Sequence, residues 1–192
     1  MVRIIAGKLR GRRLALPEGE AVRPSSDRVR TAFFNILGTW IEDKTVLDLY
    51  AGVGGVGLEC LSRGAHHVTF VEHGDECCEH LRANASRLGV LPQVTLYSTD
   101  VHEALTLLRG RRYDLIYADP PYRAAGTDAL LRQMARTGVA DGETIVVIEH
   151  SSKDRTATGP YAPGWECYRS SCYGAAQLSF FNRTTGVTAA EA

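Results

Sequence analysis

The segment Asp48-Leu49-Tyr50-Ala51-Gly52-Val53-Gly54-Gly55-Val56-Gly57 restricts the possible folds of this chain more than any other stretch. It follows the apolar run Thr45-Val46-Leu47 and precedes Leu58-Glu59-Cys60-Leu61. A strand therefore ends, and a helix begins, around three glycines spaced G-x-G-x-x-G. Glycine here permits a tight turn and lets a ligand approach the backbone closely. The next apolar run, Val68-Thr69-Phe70-Val71-Glu72, ends in an acid 20 residues after Gly52. One carboxylate at that position can accept both hydroxyls of a ribose. Loop and acid together imply a nucleoside-containing cofactor at the carboxyl edge of a sheet.

The rest of the chain repeats the pattern. Strands are predicted at 45–50, 67–72, 93–97, 113–118 and 143–149, with helices near 55–63, 74–88, 101–109 and 126–137. Such alternation gives an α/β fold with a mainly parallel sheet and helices on both faces. Trp165–Tyr173 and Ala176–Phe181, split by Gly174, read as a hairpin that closes the same sheet, for seven strands in all. Ahead of the alternation, residues 2–6 and 12–16 read as a small hairpin extension. A helix is predicted over 27–40 from apolar Val29, Ala32, Phe33, Ile36 and Leu37, started by Pro24-Ser25-Ser26-Asp27. Residues 184–192 carry no periodicity and are expected to be a disordered tail.

Asp48 discriminates between cofactors. A dinucleotide would set an anionic pyrophosphate on this loop, whereas S-adenosylmethionine brings a sulfonium and an ammonium. Opposite unit charges ~4 Å apart attract by about 4 kcal/mol at an effective dielectric of 20, and a phosphate would be opposed by as much. Asp48 therefore favours the sulfonium cofactor, although a strand-end cap is its plainer role. Asp100, after Val94-Thr95-Leu96-Tyr97, stands where a carboxylate could accept from an adenine amine; it could equally cap the helix that opens at Val101, and both roles can coexist.

A second motif, Asp119-Pro120-Pro121-Tyr122, follows the apolar run Tyr113 to Ala118. Proline cannot donate to a sheet ladder, so the strand must stop here, with carbonyls fixed in direction. An acid, rigid carbonyls and an aromatic ring suit a planar group bearing N–H bonds; a strand-ending turn with a solvated acid is the alternative.

Charge is uneven. Residues 1–30 hold eight basic side chains (Arg3, Lys8, Arg10, Arg12, Arg13, Arg23, Arg28 and Arg30) against Glu18, Glu20 and Asp27, while the whole chain is neutral. The remainder is thus acidic by the same margin of five. A basic arm on an acidic body fits a polyanionic partner. The chain has 192 residues, 44% hydrophobic and 23% charged, as for one ordinary domain. No apolar run approaches the roughly 20 residues that span a bilayer. Cys60, Cys77, Cys78, Cys167 and Cys172 form no framework and read as reduced cytoplasmic thiols. Neither cysteines nor histidines have metal-ligand spacing, so no metal is expected.

These residues resemble a known family. Asp48 to Gly57 is similar to the first motif of class I methyltransferases, and Asp119-Pro120-Pro121-Tyr122 resembles the (N/D/S)PP(Y/F/W) signature of enzymes that methylate exocyclic base amines. The stretches Arg3 to Leu14, Val22 to Arg30, Phe34 to Leu37 and Leu58 to Ala65 resemble the RsmD family of 16S rRNA (guanine-N2)-methyltransferases. Val53 stands where a Ser is expected, and Thr31-Ala32-Phe33 replaces a more usual Glu-Ala-Leu. The resemblance implies a Rossmann-like class I methyltransferase using S-adenosylmethionine. Asp48, Tyr50, Ala51, Gly52, Gly54, Gly57, Glu72, Asp100 and Val101 would bind the cofactor, and Asp119, Pro120, Pro121 and Tyr122 the reacting amine. It further implies a basic RNA arm over 1–24, a catalytic domain over 25–183, and 16S rRNA as partner, within a partly or fully assembled small subunit. A DNA adenine-N6 methyltransferase shares both central motifs and is the alternative. A nicotinamide-dependent dehydrogenase and a non-catalytic RNA-binding protein fit the residues less well.

Overall fold

The computed structural model describes residues 2–17, 27–121, 126–153 and 161–184. Arg23, Tyr122, the helix-start residues 24–26 and the tail from 185 onward lie outside these. The chain divides into two compact units, one through Val101 and one from His102.

The first unit opens with β1 (Val2–Arg3) and β2 (Arg13–Leu14), paired antiparallel with Val2 opposite Leu14. This hairpin is shorter than its alternation predicts. The amides of Ile5 and Ala6 donate to the Glu59 carboxylate instead of a ladder. Helix α1 (Asp27–Leu37) buries Val29, Phe33, Phe34 and Leu37. It stops short of residue 40 because Gly38 takes φ +58° and closes the last turn on the Phe34 carbonyl. Then β3 (Thr45–Leu49), α2 (Gly55–Ser62), β4 (His67–Glu72), α3 (Asp75–Leu88), a 3₁₀ turn at Leu91–Gln93 and β5 (Val94–Ser98) follow. β3 runs parallel to β4 and β4 to β5, with Asp48 beside Phe70 and Glu72 beside Ser98. β3 and β4 are buried on both faces, which is why they read as nearly unbroken apolar runs. Asp75 and Glu76 sit in the first turn of α3, at the positive end of its dipole.

Helix α4 (Val101–Leu107) leads into the second unit, which holds β6 (Leu115–Ala118), α5 (Thr127–Thr137), β7 (Ile145–Ser151), β8 (Trp165–Tyr173) and β9 (Ala176–Arg183). β6 and β7 are parallel; β9 lies antiparallel between β7 and β8. β6 and β7 begin two residues later than the apolar runs suggest. The Thr144 hydroxyl takes the Tyr113 carbonyl, and the Ile145 amide takes that of Asp114. The seven strands make one mostly parallel sheet, to which the first unit contributes β5-β4-β3 and the second β6-β7-β9-β8.

Candidate active site

The first unit assembles the cofactor-loop residues around the end of β3. Tyr50 leaves the strand in the left-handed region at φ +58°, and Gly52 and Gly54 follow at +55° and +86°. Ala51 donates to the Val71 carbonyl, and Gly54 closes a turn on Ala51. Two carboxylates hold the loop. Asp48 accepts from the Gly57 amide at 2.8 Å, and Glu72 accepts from the Gly52 amide at 2.8 Å. Gly57 is required by packing: a Cβ there would lie 2.3 Å from the Phe70 ring. At Gly52 a Cβ would meet nothing within 4 Å, so that side of the loop is open to a ligand.

Both acids are more internal than the sequence suggests. Asp48 is 2% exposed and lies beneath the loop. Burial, opposed by the Gly57 N–H and reinforced by the negative Glu72, raises its carboxyl to about 7. Glu72 also accepts from the amides of His73 and Gly74, so three N–H groups fix its orientation. A carboxylate offers about four acceptor sites, and with the His73 ring also 3.4 Å away at most about one is left, fewer than the two expected for a ribose diol. Asp100 is exposed at the end of β5. Tyr50, next to this acid, has its hydroxyl raised to about 12 by burial and by the Asp100 charge. Val101 is buried at the start of α4. Cys77, unmarked by any motif, lies beside Gly74 on α3; burial and then Glu72 raise its thiol.

In the second unit, Asp119, Pro120 and Pro121 leave the carboxyl end of β6, whose four residues are buried. The first two are half-buried and Pro121 is exposed. Beneath them the Tyr117 hydroxyl donates to Glu149 of β7 at 2.5 Å, both side chains being buried.

The basic arm is a docked element. Glu59, 0% exposed, accepts from Ile5 at 2.7 Å, Ala6 at 2.9 Å and the Arg63 guanidinium at 3.0 Å. Ser62 donates to the Ala6 carbonyl and accepts from Leu9, while Lys8 donates to the Ser62 carbonyl. Gly7 fits only as glycine, since its Cβ would stand 1.9 Å from that carbonyl. Asn84 of α3 both accepts from the Ala15 amide and donates to its carbonyl. Arg3, Lys8, Arg10, Arg12, Arg13 and Arg28 are exposed. Arg30 is not, which corrects its expected place on the RNA face. It is 2% exposed, and its guanidinium donates to Asp27 and to the carbonyls of Arg3 and Gly55. These anchors escaped motif reasoning, though a signal was present: Glu59 stands out in an apolar helix, and Asn84 falls on the Leu81-Ala85-Leu88 face.

Among the described residues no helix is long and apolar enough to cross a membrane. None of their His, Cys, Asp and Glu side chains form a group able to hold a metal.

The comparisons with known proteins agree with this architecture. Ribosomal RNA small subunit methyltransferase D of Escherichia coli (strain K12) is 29% identical over 184 residues, covering 95% of this chain and 90% of that protein. Its namesake from Haemophilus influenzae is 30% identical over 161 residues, 83% of each. The solved structure of yhhF from Escherichia coli matches with a TM-score of 0.84 at 27% identity, over 96% of this chain and 99% of that one. A family model described as Conserved hypothetical protein 95 matches residues 2–182, a span that takes in the arm, the glycine loop, the Asp-Pro-Pro turn and all seven sheet strands but for one end residue. By that match the chain belongs to the RsmD family.

Proposed function

We propose that this chain transfers a methyl group from S-adenosylmethionine to the exocyclic N2 amine of a guanine in 16S rRNA. The observation that carries the reading is the glycine loop held by two carboxylates, Asp48 below and Glu72 beside it. The Glu72 carboxylate, joined by Asp48 once it ionises above about pH 7, suits a nucleoside bearing positive charge and opposes a pyrophosphate. The open side of Gly52 leaves room for it. The relatives named rRNA small subunit methyltransferase D support the substrate class. The family's cofactor supplies, when bound, a methyl group activated by a sulfonium. The backbone from Tyr50 through Gly57 would seat its amino-acid end, Glu72 its ribose, and Asp100 and Val101 its adenine.

The amine is a weak nucleophile because its lone pair is delocalised into the ring. Asp119 and the Pro120 carbonyl would each accept one of its N–H bonds and draw the nitrogen toward tetrahedral geometry. Pro121 fixes the turn, and Tyr122 would stack on the base, a contribution of roughly 1–3 kcal/mol. Once methylated, the nitrogen would carry a surplus proton, which Asp119 or water would take. Positioning supplies most of the acceleration. The target base must be unpaired or flipped out to reach such a pocket. Arg3, Lys8, Arg10, Arg12, Arg13, Arg23 and Arg28 would neutralise phosphates, so rRNA affinity should fall steeply with salt. The natural substrate would be the cytoplasmic small subunit or its assembly intermediate.

The test is transfer from labelled cofactor onto unmodified small subunits, free 16S rRNA and DNA, with the modified base mapped. Label on guanine N2 of rRNA supports the reading; label on DNA adenine, or on nothing, ends it. Asp119→Ala should nearly abolish transfer while calorimetry still shows cofactor binding. A wild-type rate in that variant would remove Asp119 from the pocket.

A further inference from the structure

Two buried polar side chains join the basic arm to the cofactor loop. Asn84, 0% exposed, makes its paired bonds with Ala15 of the arm and also donates to the carbonyl of Val53, between Gly52 and Gly54, at 3.3 Å. Arg30 donates to the Arg3 carbonyl of the arm at 3.0 Å and to that of Gly55, where the loop enters α2, at 3.1 Å. Each residue therefore holds an arm carbonyl and a loop carbonyl at once. Arg30 in particular is a poor choice for stabilising a core. The Arg30 Nε is buried without a hydrogen-bond partner among the described residues, and a buried guanidinium bears a desolvation penalty that an apolar side chain of similar volume avoids.

The outer ends of both links lie at exposed basic groups. Asp27 accepts from Arg30 at 2.6 Å and is also 3.4 Å from the guanidinium of Arg3, whose side chain is 60% exposed. A phosphate drawing Arg3 away would leave Asp27 wholly to Arg30. The Arg12 guanidinium donates to the Arg87 carbonyl, and Arg87 donates to the Arg13 carbonyl and to Asn84. Phosphates on Arg12 or Arg13 thus pull on the residues that seat Asn84.

We infer that Asn84 and Arg30 are positioning residues that couple RNA on the arm to the cofactor loop, so that RNA tightens cofactor binding and the cofactor tightens RNA binding. The inference rests on the proposed function for the identity of both ligands. Reciprocity is a thermodynamic requirement, and couplings of this kind typically amount to ~5–150-fold.

The experiment measures the affinity of S-adenosylhomocysteine, which cannot transfer a methyl group, with and without saturating unmodified 16S rRNA. Wild type should bind it about fivefold or more tightly with RNA present. Asn84→Ala and Arg30→Lys should each bring that ratio to within about twofold of one, with affinity in the absence of RNA changed by less than about tenfold. If Asn84→Ala does not fold, Arg30→Lys carries the test. Ser62→Ala loosens the arm without touching the loop; it should weaken RNA binding and keep the wild-type ratio. A wild-type ratio below about twofold, or variants that keep at least about half of the wild-type ratio, would overturn the coupling. So would a Ser62→Ala ratio as low as that of Asn84→Ala, because arm docking alone would then explain both. Methyl transfer to rRNA by the same wild-type sample separates the two ideas. Transfer without a ratio sinks only the coupling, and no transfer sinks the parent reading.

Discussion

Asp48→Asn should make the stability of this protein less sensitive to pH, in a direction and size set by the burial of one carboxyl. Asp48 is enclosed beneath the glycine loop, and its carboxyl rises from 3.8 to about 7. Below pH 4 it is protonated in both folded and unfolded chains and contributes no pH dependence. Between about 4 and 7 the unfolded chain gives up this proton while the folded chain keeps it, so wild-type stability falls as pH rises. Each pH unit in that window changes stability by at most about 1.4 kcal/mol, and the whole window by about 4 kcal/mol as a ceiling. Above 7 both states are ionised and the cost is constant. Asparagine can still accept from the Gly57 amide but does not titrate. Urea unfolding followed by circular dichroism, for both proteins from pH 4.5 to 8.5, isolates the effect as their difference. The variant should gain on wild type up to about pH 7 and run parallel beyond. A difference independent of pH, or one that shrinks as pH rises, would refute a carboxyl neutralised by burial.

Three further outcomes follow from the packing. Gly57→Ala should cost about 1–3 kcal/mol in urea unfolding, because its new methyl overlaps the Phe70 ring between α2 and β4. Gly7→Ala should undock the arm, since both φ +81° and the Ser62 carbonyl exclude a side chain; filter binding should show weaker rRNA affinity with cofactor affinity retained. Deleting residues 1–20 should lower the thermal midpoint as well as RNA binding, because Glu59 and Asn84 lose their arm partners.

The fold was legible where one residue type answers one local demand. Strands β3 and β4 declare themselves by burial on both faces, and Gly89 ends α3 in a left-handed conformation that side chains resist, whereas the same role of Gly38 was read through and its helix carried to residue 40. The glycine spacing and Glu72 marked, for the same reason, a strand-to-helix loop held by carboxylates. What stayed hidden depends on contacts distant in sequence. Arg30 counted as one more basic residue of the arm, and only the fold brings Gly55 and Arg3 to its guanidinium. Asp48 was readable as an acid at the loop, but not that burial would hold its carboxyl near neutrality. The two-residue hairpin likewise gave no local hint that Glu59, more than fifty positions away, takes the amides its strand would have used.

The docking of the arm also sets an order of events in folding. Its amides wait for Glu59 and Ser62, 53 or 54 positions later, and Ala15 waits for Asn84, 69 positions later. Contacts so remote form late, because loop-closure entropy is lost before they reward it. During synthesis the arm therefore cannot complete its docking until α3 has emerged. Until then this cationic segment can use only its own β1–β2 pair and its contacts with α1 and α2, and β5, the last strand of the first unit, is made only after α3.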